Sequence, residues 1–533
     1  MVERSSAEMK GRNLQELSSP MFSRGSLSRL LPAKEEDRDQ EHFKTDHLLT
    51  NLRGRTISSV VVTMSAQAAK FTLSLASTVI LARLLSPRDF GRVAMVTTVT
   101  GFLLVFKDAG LSIATVQREG ITHAQVSNLF WINIGISFLS SLVVAALAPL
   151  IAAFYHDDRL IRITLVLSMT FLLSGSTIQH QALLKRQMRF KAIALIEVSS
   201  MAVGVFVGAL MALLRYGYWA LVGSALSMEA TGLLLTWSVS QWRPGLPSRH
   251  SGIRPLITFG AHLTLSSLIF YLARGTDNLL IGRFYGAASV GLYSRASALL
   301  MRPVEQFLGP VNAVFVPALS RLQGQPERYR TTFLRLYEAV ALVGFVFTGL
   351  FLALSRPVTL VLLGYKWENA AVIFGGFTIA AFCVPLAGAS TWLFTSQGRG
   401  REMLTAGSIN ALVTVLSFIA GLPFGPVGVA TAFSISGPLT RLPILYFIVG
   451  RRGPVRTIDL WVVFFRHLPV WIVVFSVTWL MLSVVPHLAP LGELLICAPV
   501  GLLTAVAYIW VFSSQRQVAI HLFETVRQLK KNP

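Results

Sequence analysis

Charged residues and cysteines are scarce in this chain of 533 residues. Asp, Glu, Lys and Arg make up 14% of it, against about 25% in a soluble domain. The two cysteines, Cys383 and Cys497, both lie inside apolar segments. We therefore expect no disulfide and no metal site, since no His/Cys cluster has ligand spacing. We also expect no cofactor, and the composition argues against a large soluble protein.

Long polar connections and a phosphate-binding loop are also missing. The longest connections between apolar segments, near 240–254 and 321–329, leave no room for a soluble catalytic domain. No G-x-x-x-x-G-K-[ST] motif occurs, which excludes ATP hydrolysis by a P-loop. A membrane-embedded polymerase or glycosyltransferase would need a larger loop and paired carboxylates. The candidate pair at His156-Asp157-Asp158 is interpreted as a solvated turn.

Apolar residues are plentiful instead. They form 53% of the chain, and the mean hydropathy is +0.60. Segments of about 20 apolar residues recur, each long enough to cross a hydrocarbon layer of about 30 Å. The predicted spans are 57–82, 90–115, 127–153, 161–183, 192–213, 217–239, 256–282, 288–318, 331–355, 369–395, 403–423, 426–449, 462–485 and 491–513.

A weak internal repeat organises these spans. Thr78–Arg92 and Asn278–Leu292 both join two apolar runs, with Arg83 and Arg283, and then Gly91 and Gly291, at matching places. The expected fold is an all-α bundle of 14 transmembrane helices. Two six-helix lobes are related by an axis along the membrane normal, and two C-terminal helices are added. The predicted parts are a disordered cytoplasmic tail (1–56), the first lobe (57–240), a linker (241–255), the second lobe (256–450), helices 13 and 14 (451–514) and a second cytoplasmic tail (515–533).

The excess of basic residues predicts orientation. A net charge of +22 would suggest nucleic acid in a soluble protein, but here it fits the enrichment of Lys and Arg in cytoplasmic loops. Loops after even-numbered spans, with the C-terminal tail, hold 21 Lys and Arg. Loops after odd-numbered spans hold nine, namely Arg83, Arg88, Arg92, Arg159, Arg162, Arg215, Arg283, Arg356 and Lys366. Both termini are therefore expected in the cytoplasm, and no nucleic-acid partner is expected.

Several motifs resemble one transporter family. ARLLSPRDFG at 82–91 is similar to the first-loop signature of bacterial polysaccharide flippases, and Lys70, DAGL at 108–111 and TDNLLIGRFYG at 276–286 fit in order and spacing. The chain thus resembles the polysaccharide transporter family of the MOP (multidrug/oligosaccharidyl-lipid/polysaccharide) exporter superfamily. The resemblance implies a two-lobed flippase for undecaprenyl-pyrophosphate-linked oligosaccharides in the bacterial inner membrane, feeding exopolysaccharide or O-antigen (lipopolysaccharide) assembly. Membrane lipids, a polysaccharide polymerase and chain-length machinery are the other implied partners.

A pyrophosphate head group needs a wet, cationic cavity, so ionisable residues inside spans are functional candidates. Each costs roughly 2.5–3.5 kcal/mol on insertion scales. Lys70 lies mid-span, too deep to snorkel easily, and is interpreted as lining the cavity. Lys107 and Asp108 either line it too or mark a helix break near the cytoplasmic interface.

The second lobe carries further candidates. Arg274 and Asp277 are three residues apart on one helix face, either as a structural pair or as an arginine for pyrophosphate tuned by an aspartate. Arg295 and Arg302, seven apart, share one stripe with forks suited to phosphate oxygens, near Glu305.

In the first lobe, Glu229 is either the partner of a cation on another helix or a coupling-ion site, whereas Glu197 reads as an interfacial charge. The candidates for the head-group site are Lys70, Lys107, Arg274, Arg295 and Arg302. The candidates for ion coupling or charge balance are Asp108, Glu229, Asp277 and Glu305.

The favoured mechanism is alternating access by rocking of the two lobes. No residue is assigned a catalytic role. The main rival is a drug or metabolite exporter of the same superfamily, but a surplus of intramembrane Lys and Arg favours an anionic cargo. A scaffold without transport function does not explain charges inside the membrane.

Overall fold

The computed structural model describes residues 52–108, 110–118, 120–248, 275–485 and 488–520. These residues form α-helices joined by short turns, with no strand among them. The helices are α1 (Leu52–Leu84), α2 (Pro87–Asp108), α3 (Leu111–Gln117), α4 (His123–Tyr155), α5 (Arg159–Gly175), α6 (Ile178–Arg186), α7 (Phe190–Leu213), α8 (Trp219–Ser240), α9 (Thr276–Ser320), α10 (Pro326–Ala353), α11 (Ser355–Leu363), α12 (Glu368–Ser396), α13 (Gly400–Gly421), α14 (Gly425–Ser436), α15 (Leu442–Gly450), α16 (Thr457–Val484) and α17 (Pro490–Val511). The all-α prediction is confirmed.

Most of these helices lie in segments that have the length and hydropathy of membrane spans. Within the described ranges, nine helical segments are long and apolar enough to cross a bilayer. One of them, Gly400–Gly450, has 51 residues. At about 1.5 Å per residue it is long enough for two passes, and it bends at the 3₁₀ turn Leu422–Phe424. The chain is a multi-pass membrane protein.

Two predicted spans are interrupted within the described residues, and a third lies mostly outside them. The predicted span 90–115 breaks between α2 and α3, where Gly110 has a φ of 66° that favours glycine. The predicted span 161–183 is divided between α5 and α6. Residues 251–274, which hold most of the predicted span 256–282, lie outside the described part. α9 contains a kink at Gly286, with φ 76°, within the predicted turn between spans 7 and 8.

The region predicted as a loop between residues 355 and 369 is partly helical. α11 occupies Ser355–Leu363 and buries Val358, Leu360 and Leu363. The loop prediction was wrong there because the segment packs against α12 and α17 instead of facing water. The turn between α1 and α2 contacts this short helix.

The C-terminal helices pack on the second half. Arg330 on α10 binds Asp459 on α16 with two parallel bonds, Nε to Oδ2 at 2.9 Å and Nη2 to Oδ1 at 2.6 Å. Gly349 allows α10 to approach the backbone of Trp471 on α16. α16 and α17 are thus attached to α10 and α11, on the part of the chain that follows residue 320.

Candidate functional site

A pocket of about 220 Å³ lies between α1, α7 and α9. From α1, it is lined by Lys70, Ser74 and Thr78, and α9 contributes Arg302 and Pro303. Residues four apart on a helix lie on one face, so Lys70, Ser74 and Thr78 form one polar edge. The pocket therefore joins polar groups from the first and second halves of the chain.

Two predicted cations meet there. The Lys70 Nζ lies 2.6 Å from the Glu197 Oε2 on α7. The Arg302 Nη1 donates to the Ser74 hydroxyl at 3.2 Å, and the Arg302 side chain is exposed. Lys70 stands 14 residues before the end of α1, about 21 Å along the helix from the α1–α2 turn. Glu197, interpreted from sequence as an interfacial charge, is here the partner of Lys70.

One end of the space between the halves is closed by a glycine crossing. α2 and α9 approach so closely that a Cβ on Gly91 would collide with the carbonyl oxygen of Ala287, and a Cβ on Gly291 with that of Pro87. The contact is reciprocal, because Ala287 stands 200 residues after Pro87 and Gly291 stands 200 after Gly91. The glycines that the internal repeat singled out are thus required by backbone contact.

The repeated arginines contribute to the same closure. The Arg83 Nη2 donates to the Val361 carbonyl at 2.7 Å, which fastens the α1–α2 turn to α11. The Trp367 indole donates to the Ala82 carbonyl at 2.8 Å. On the other side, the Arg283 guanidinium lies 5.9 Å from the ring centre of Phe154 at the end of α4. Each arginine therefore contacts the opposite half of the chain.

Arg295 lies at this closed end and not in the pocket. Its guanidinium stands 4.9 Å from the ring centre of Phe90, and its buried Nε has no hydrogen-bond partner. Phe90 in turn packs edge-on against Trp367, with ring centres 5.2 Å apart. Although Arg295 and Arg302 share a predicted stripe, two turns of α9 separate the closed end from the pocket.

The charges of α2 form a separate polar group. Asp108 accepts a hydrogen bond from the Ser112 amide at 2.9 Å and another from the Ser112 hydroxyl, so it satisfies an amide in the first turn of α3. Lys107 and Glu229 interact electrostatically between α2 and α8. The predicted break at Asp108 is present, and Glu229 has the cross-helix cation that the sequence suggested as one alternative.

The remaining candidates are described only in part. The Asp277 carboxylate accepts a hydrogen bond from the Asn278 amide at 2.8 Å and interacts electrostatically with the fully buried Tyr293. Arg274, its predicted partner, lies outside the described residues, as does the side chain of Glu305 on α9. In the candidate pair Asp157-Asp158, which the sequence analysis interpreted as a solvated turn, Asp157 binds the Arg92 Nε at 2.8 Å.

No metal cluster occurs in the described ranges, where no group of three His, Cys, Asp or Glu could hold an ion. What the pocket can do chemically is bind an anion. Arginine forks and lysine ammonium groups form charge-assisted hydrogen bonds with phosphate oxygens. The Ser74 hydroxyl, which accepts from Arg302, can donate to such an oxygen as well. The Thr78 hydroxyl instead donates to the Ser74 carbonyl at 2.8 Å.

The comparisons with known proteins fit this arrangement. The family described as polysaccharide biosynthesis protein matches residues 80–372, more than half of the chain. The chain belongs to this family. Lipopolysaccharide biosynthesis protein WzxC of Escherichia coli (strain K12) is 24% identical over 439 residues, which cover 80% of this chain and 88% of the relative.

Solved structures show the fold of this family member. The lipid II flippase MurJ in an inward closed conformation aligns with 86% of the chain and 98% of its own length, at a TM-score of 0.68 and 15% identity. An inward-facing multidrug resistance MATE transporter of the MOP superfamily covers 76% of this chain and 97% of its own length, at a TM-score of 0.56 and 16% identity. The two structures share the fold of this chain, and the predicted polysaccharide family is confirmed by the family match.

Sequence reasoning missed a second repeat in this polysaccharide biosynthesis protein. Arg189, which follows α6, donates to the Val239 carbonyl at 3.3 Å, and Arg399, which follows α12, donates to the Val449 carbonyl at 3.0 Å. Arg399 stands 210 residues after Arg189, and Val449 stands 210 residues after Val239. The residue before each arginine has a positive φ, 53° at Met188 and 68° at Gly398. The shared spacing Gln-x-Arg at 187–189 and 397–399 was the signal that could have found it.

Proposed function

We propose that this protein is a flippase that moves undecaprenyl-pyrophosphate-linked oligosaccharide repeat units from the cytoplasmic to the periplasmic face of the inner membrane. The observation that carries the proposal is the pocket whose lining includes Lys70 from one half of the chain and Arg302 from the other. Membership in the polysaccharide biosynthesis family and the flippase-like fold support it. The repeat units would feed exopolysaccharide or O-antigen assembly.

The charge of the pocket favours an anionic cargo. A lipid-linked sugar carries a pyrophosphate that cannot cross hydrocarbon unaided, while its lipid tail can stay in the bilayer. Arg302 bonds to neutral Ser74, so its charge remains available to a phosphate oxygen. The fold alone does not separate a flippase from a multidrug exporter, since both share it. The cations are the feature that an exporter of cationic drugs does not require.

The finer architecture follows from the two repeats. We assign 14 spans, with lobes at 57–240 and 256–450, a linker at 241–255, and helices 13 and 14 at 451–514. The reciprocal glycine crossing and the recurring arginine turns support an axis along the membrane normal between the lobes. The assignment of 1–56 and 515–533 as cytoplasmic tails rests on the distribution of Lys and Arg.

The transport step is alternating access. With the termini in the cytoplasm, the α1–α2 turn lies at the periplasmic end, so the glycine crossing closes the periplasmic side and the pocket is reached from the cytoplasm. Rocking of the lobes would separate Gly91 from Ala287 and expose the head group. A membrane potential that is negative inside favours outward movement of an anion, by about 2.3 kcal/mol per charge per 100 mV. Asp277 and Glu229 are the proposed sites of ion coupling.

The proposal assigns transport and no catalysis. The polymerase and chain-length machinery would use the flipped repeat unit on the periplasmic face. The proposed function includes no cofactor and no nucleic-acid partner.

The test is the level of lipid-linked repeat unit in a deletion strain. Deletion is expected to trap sugar-lipid on the cytoplasmic face, and the wild-type gene to clear it. Lys70→Gln and Arg302→Gln should each slow clearance about tenfold or more, because a charge-assisted contact to phosphate, worth about 1.5–3 kcal/mol, is lost.

Arg356→Gln is the matched control, since Arg356 pairs with Glu368 on an exposed surface, and it should clear sugar-lipid like the wild type. Unchanged sugar-lipid in the deletion strain, combined with new sensitivity to small toxic compounds, would favour the exporter and end the flippase proposal.

A further inference from the structure

Glu197 holds one of the two pocket cations. Its Oε2 lies 2.6 Å from the Lys70 Nζ, with 27% of the lysine and 41% of the glutamate side chain exposed. The two residues are 127 positions apart and lie on α1 and α7. A partly exposed pair has room to open, because neither side chain is fully buried in packed protein.

Lys70 keeps binding capacity while it is paired. An ammonium group has three donors, and the described bond to Glu197 uses one of them. Lys70 also lines the pocket, together with Ser74 one turn further along α1. An anion in the pocket would therefore meet the ammonium group on the side that Glu197 leaves open.

The charges of the site match a diphosphate only after Glu197 has left. Lys70 and Arg302 contribute two positive charges, and Glu197 removes one of them. A diphosphate that bridges a lipid and a sugar carries two negative charges, one on each phosphate. With Glu197 displaced, the cations and the diphosphate neutralise each other, whereas with Glu197 in place one negative charge is left over.

We propose that Glu197 is a resident anion that pairs with Lys70 in the empty site and is displaced by the diphosphate of the cargo. The inference rests on the proposed function and adds an anion exchange to it. Glu197 competes with the cargo, so it weakens binding and speeds release. In the empty protein it also lowers the charge that the pocket must keep in a low-dielectric surrounding, where an unpaired cation is costly.

The experiment measures binding to the purified full chain in lipid nanodiscs. Farnesyl diphosphate serves as a lipid-attached diphosphate and inorganic pyrophosphate as the free anion, each followed by isothermal titration calorimetry. Both probes end in a free phosphate and so carry more negative charge than a bridged diphosphate. Glu197→Gln keeps a hydrogen-bonding side chain and removes the charge. It is expected to tighten the binding of both probes about fivefold, the effect of an ion pair of ordinary strength, and to slow release of farnesyl diphosphate.

Three controls separate anion exchange from general effects. Glu338→Gln removes a carboxylate that pairs with Arg466 at 2.5 Å on α10 and α16, away from the pocket, and should leave both affinities unchanged. In a Lys70→Gln background, Glu197→Gln should give a smaller gain, since it relieves repulsion of the anion but frees no ammonium group. Glu197→Asp keeps the charge and should bind like the wild type.

The outcomes are distinguishable. If Glu197→Gln lowers the unfolding temperature and leaves both affinities unchanged or weaker, the pair is structural and the exchange is wrong, while the flippase proposal stands. If the wild type binds neither probe, both proposals fall. A gain for pyrophosphate without binding of farnesyl diphosphate would support the exchange and contradict the lipid-linked cargo.

Discussion

Gly91 and Gly291 show how single residues permit the close approach of α2 and α9. Each lies where a carbonyl oxygen of the opposite half fills the space that a side chain would need. Backbone atoms cannot move aside as a flexible side chain does, so even a methyl group forces α2 and α9 apart. Overpacking of this kind costs about 1–3 kcal/mol, enough to change the balance between two conformations of one transporter.

Gly91→Ala is therefore expected to open the closed end. Thr78→Cys, at a position that lines the pocket, serves as the reporter in a chain whose own cysteines are buried. A membrane-impermeant thiol reagent, added on the side of the α1–α2 turn, should label the introduced thiol about tenfold faster when Gly91→Ala is also present than when it is absent.

Gly135→Ala is the control, because a Cβ at Gly135 on α4 meets no atom within 4 Å. Equal labelling rates in the Gly91→Ala and Gly135→Ala variants would show that the crossing does not close the site.

At the scale of elements, arginines that follow two helices hold the last turns of two others. The Arg399 Nη1 donates to the carbonyls of Val449 at 3.0 Å and Arg452 at 2.7 Å, just where α15 ends. Orphan carbonyls at a helix end need such donors, and the guanidinium also meets the negative end of the helix dipole. Arg189 makes the corresponding bond at the end of α8.

Arg399→Gln should lower the free energy of unfolding by about 1–3 kcal/mol, because charged hydrogen bonds are lost at a helix end. The midpoint of thermal unfolding in detergent measures the change. Arg189→Gln should act in the same direction and less strongly, since its described bond is longer, at 3.3 Å. Arg401→Gln, on an exposed residue of the same turn, should change nothing, and an equal loss there would contradict the capping role.

At the scale of the whole molecule, the orientation of the chain in the membrane determines on which side the closed end lies. Closure at the α1–α2 turn leaves the pocket accessible from the cytoplasm only if that turn is periplasmic. The concentration of Lys and Arg in the even-numbered loops supports this orientation, and it gives the membrane potential the sign that favours export of an anion.

Reporter fusions test the orientation. Green fluorescent protein fused after Arg452 should fluoresce, and alkaline phosphatase fused after Leu488 should be active, because the predicted loops lie on opposite sides of the membrane. Phosphatase activity at Arg452 with none at Leu488 would reverse the topology and would turn the glycine crossing into a cytoplasmic closure.

Much of the fold was predictable because its signals are local. Apolar runs of span length, such as 127–153 and 192–213, correspond to α4 and α7. These runs were predictable because the hydropathy of a segment depends on its composition alone. The break at Asp108 and the kink at Gly286 were less certain, since glycine permits but does not require a left-handed backbone. α11 was missed because a short apolar helix and an apolar loop have the same composition.

The sequence by itself determined the membrane class, the positions of most spans, the family and the repeat that carries Gly91 and Gly291. Only the tertiary structure decided that Lys70 meets Glu197, that Ser74 meets Arg302 across 228 positions, and that Arg295 turns toward Phe90. Hydropathy fixes which segments enter the membrane, and it acts on each segment separately. Which charges become neighbours depends on how helices pack against each other, and no single helix contains that information.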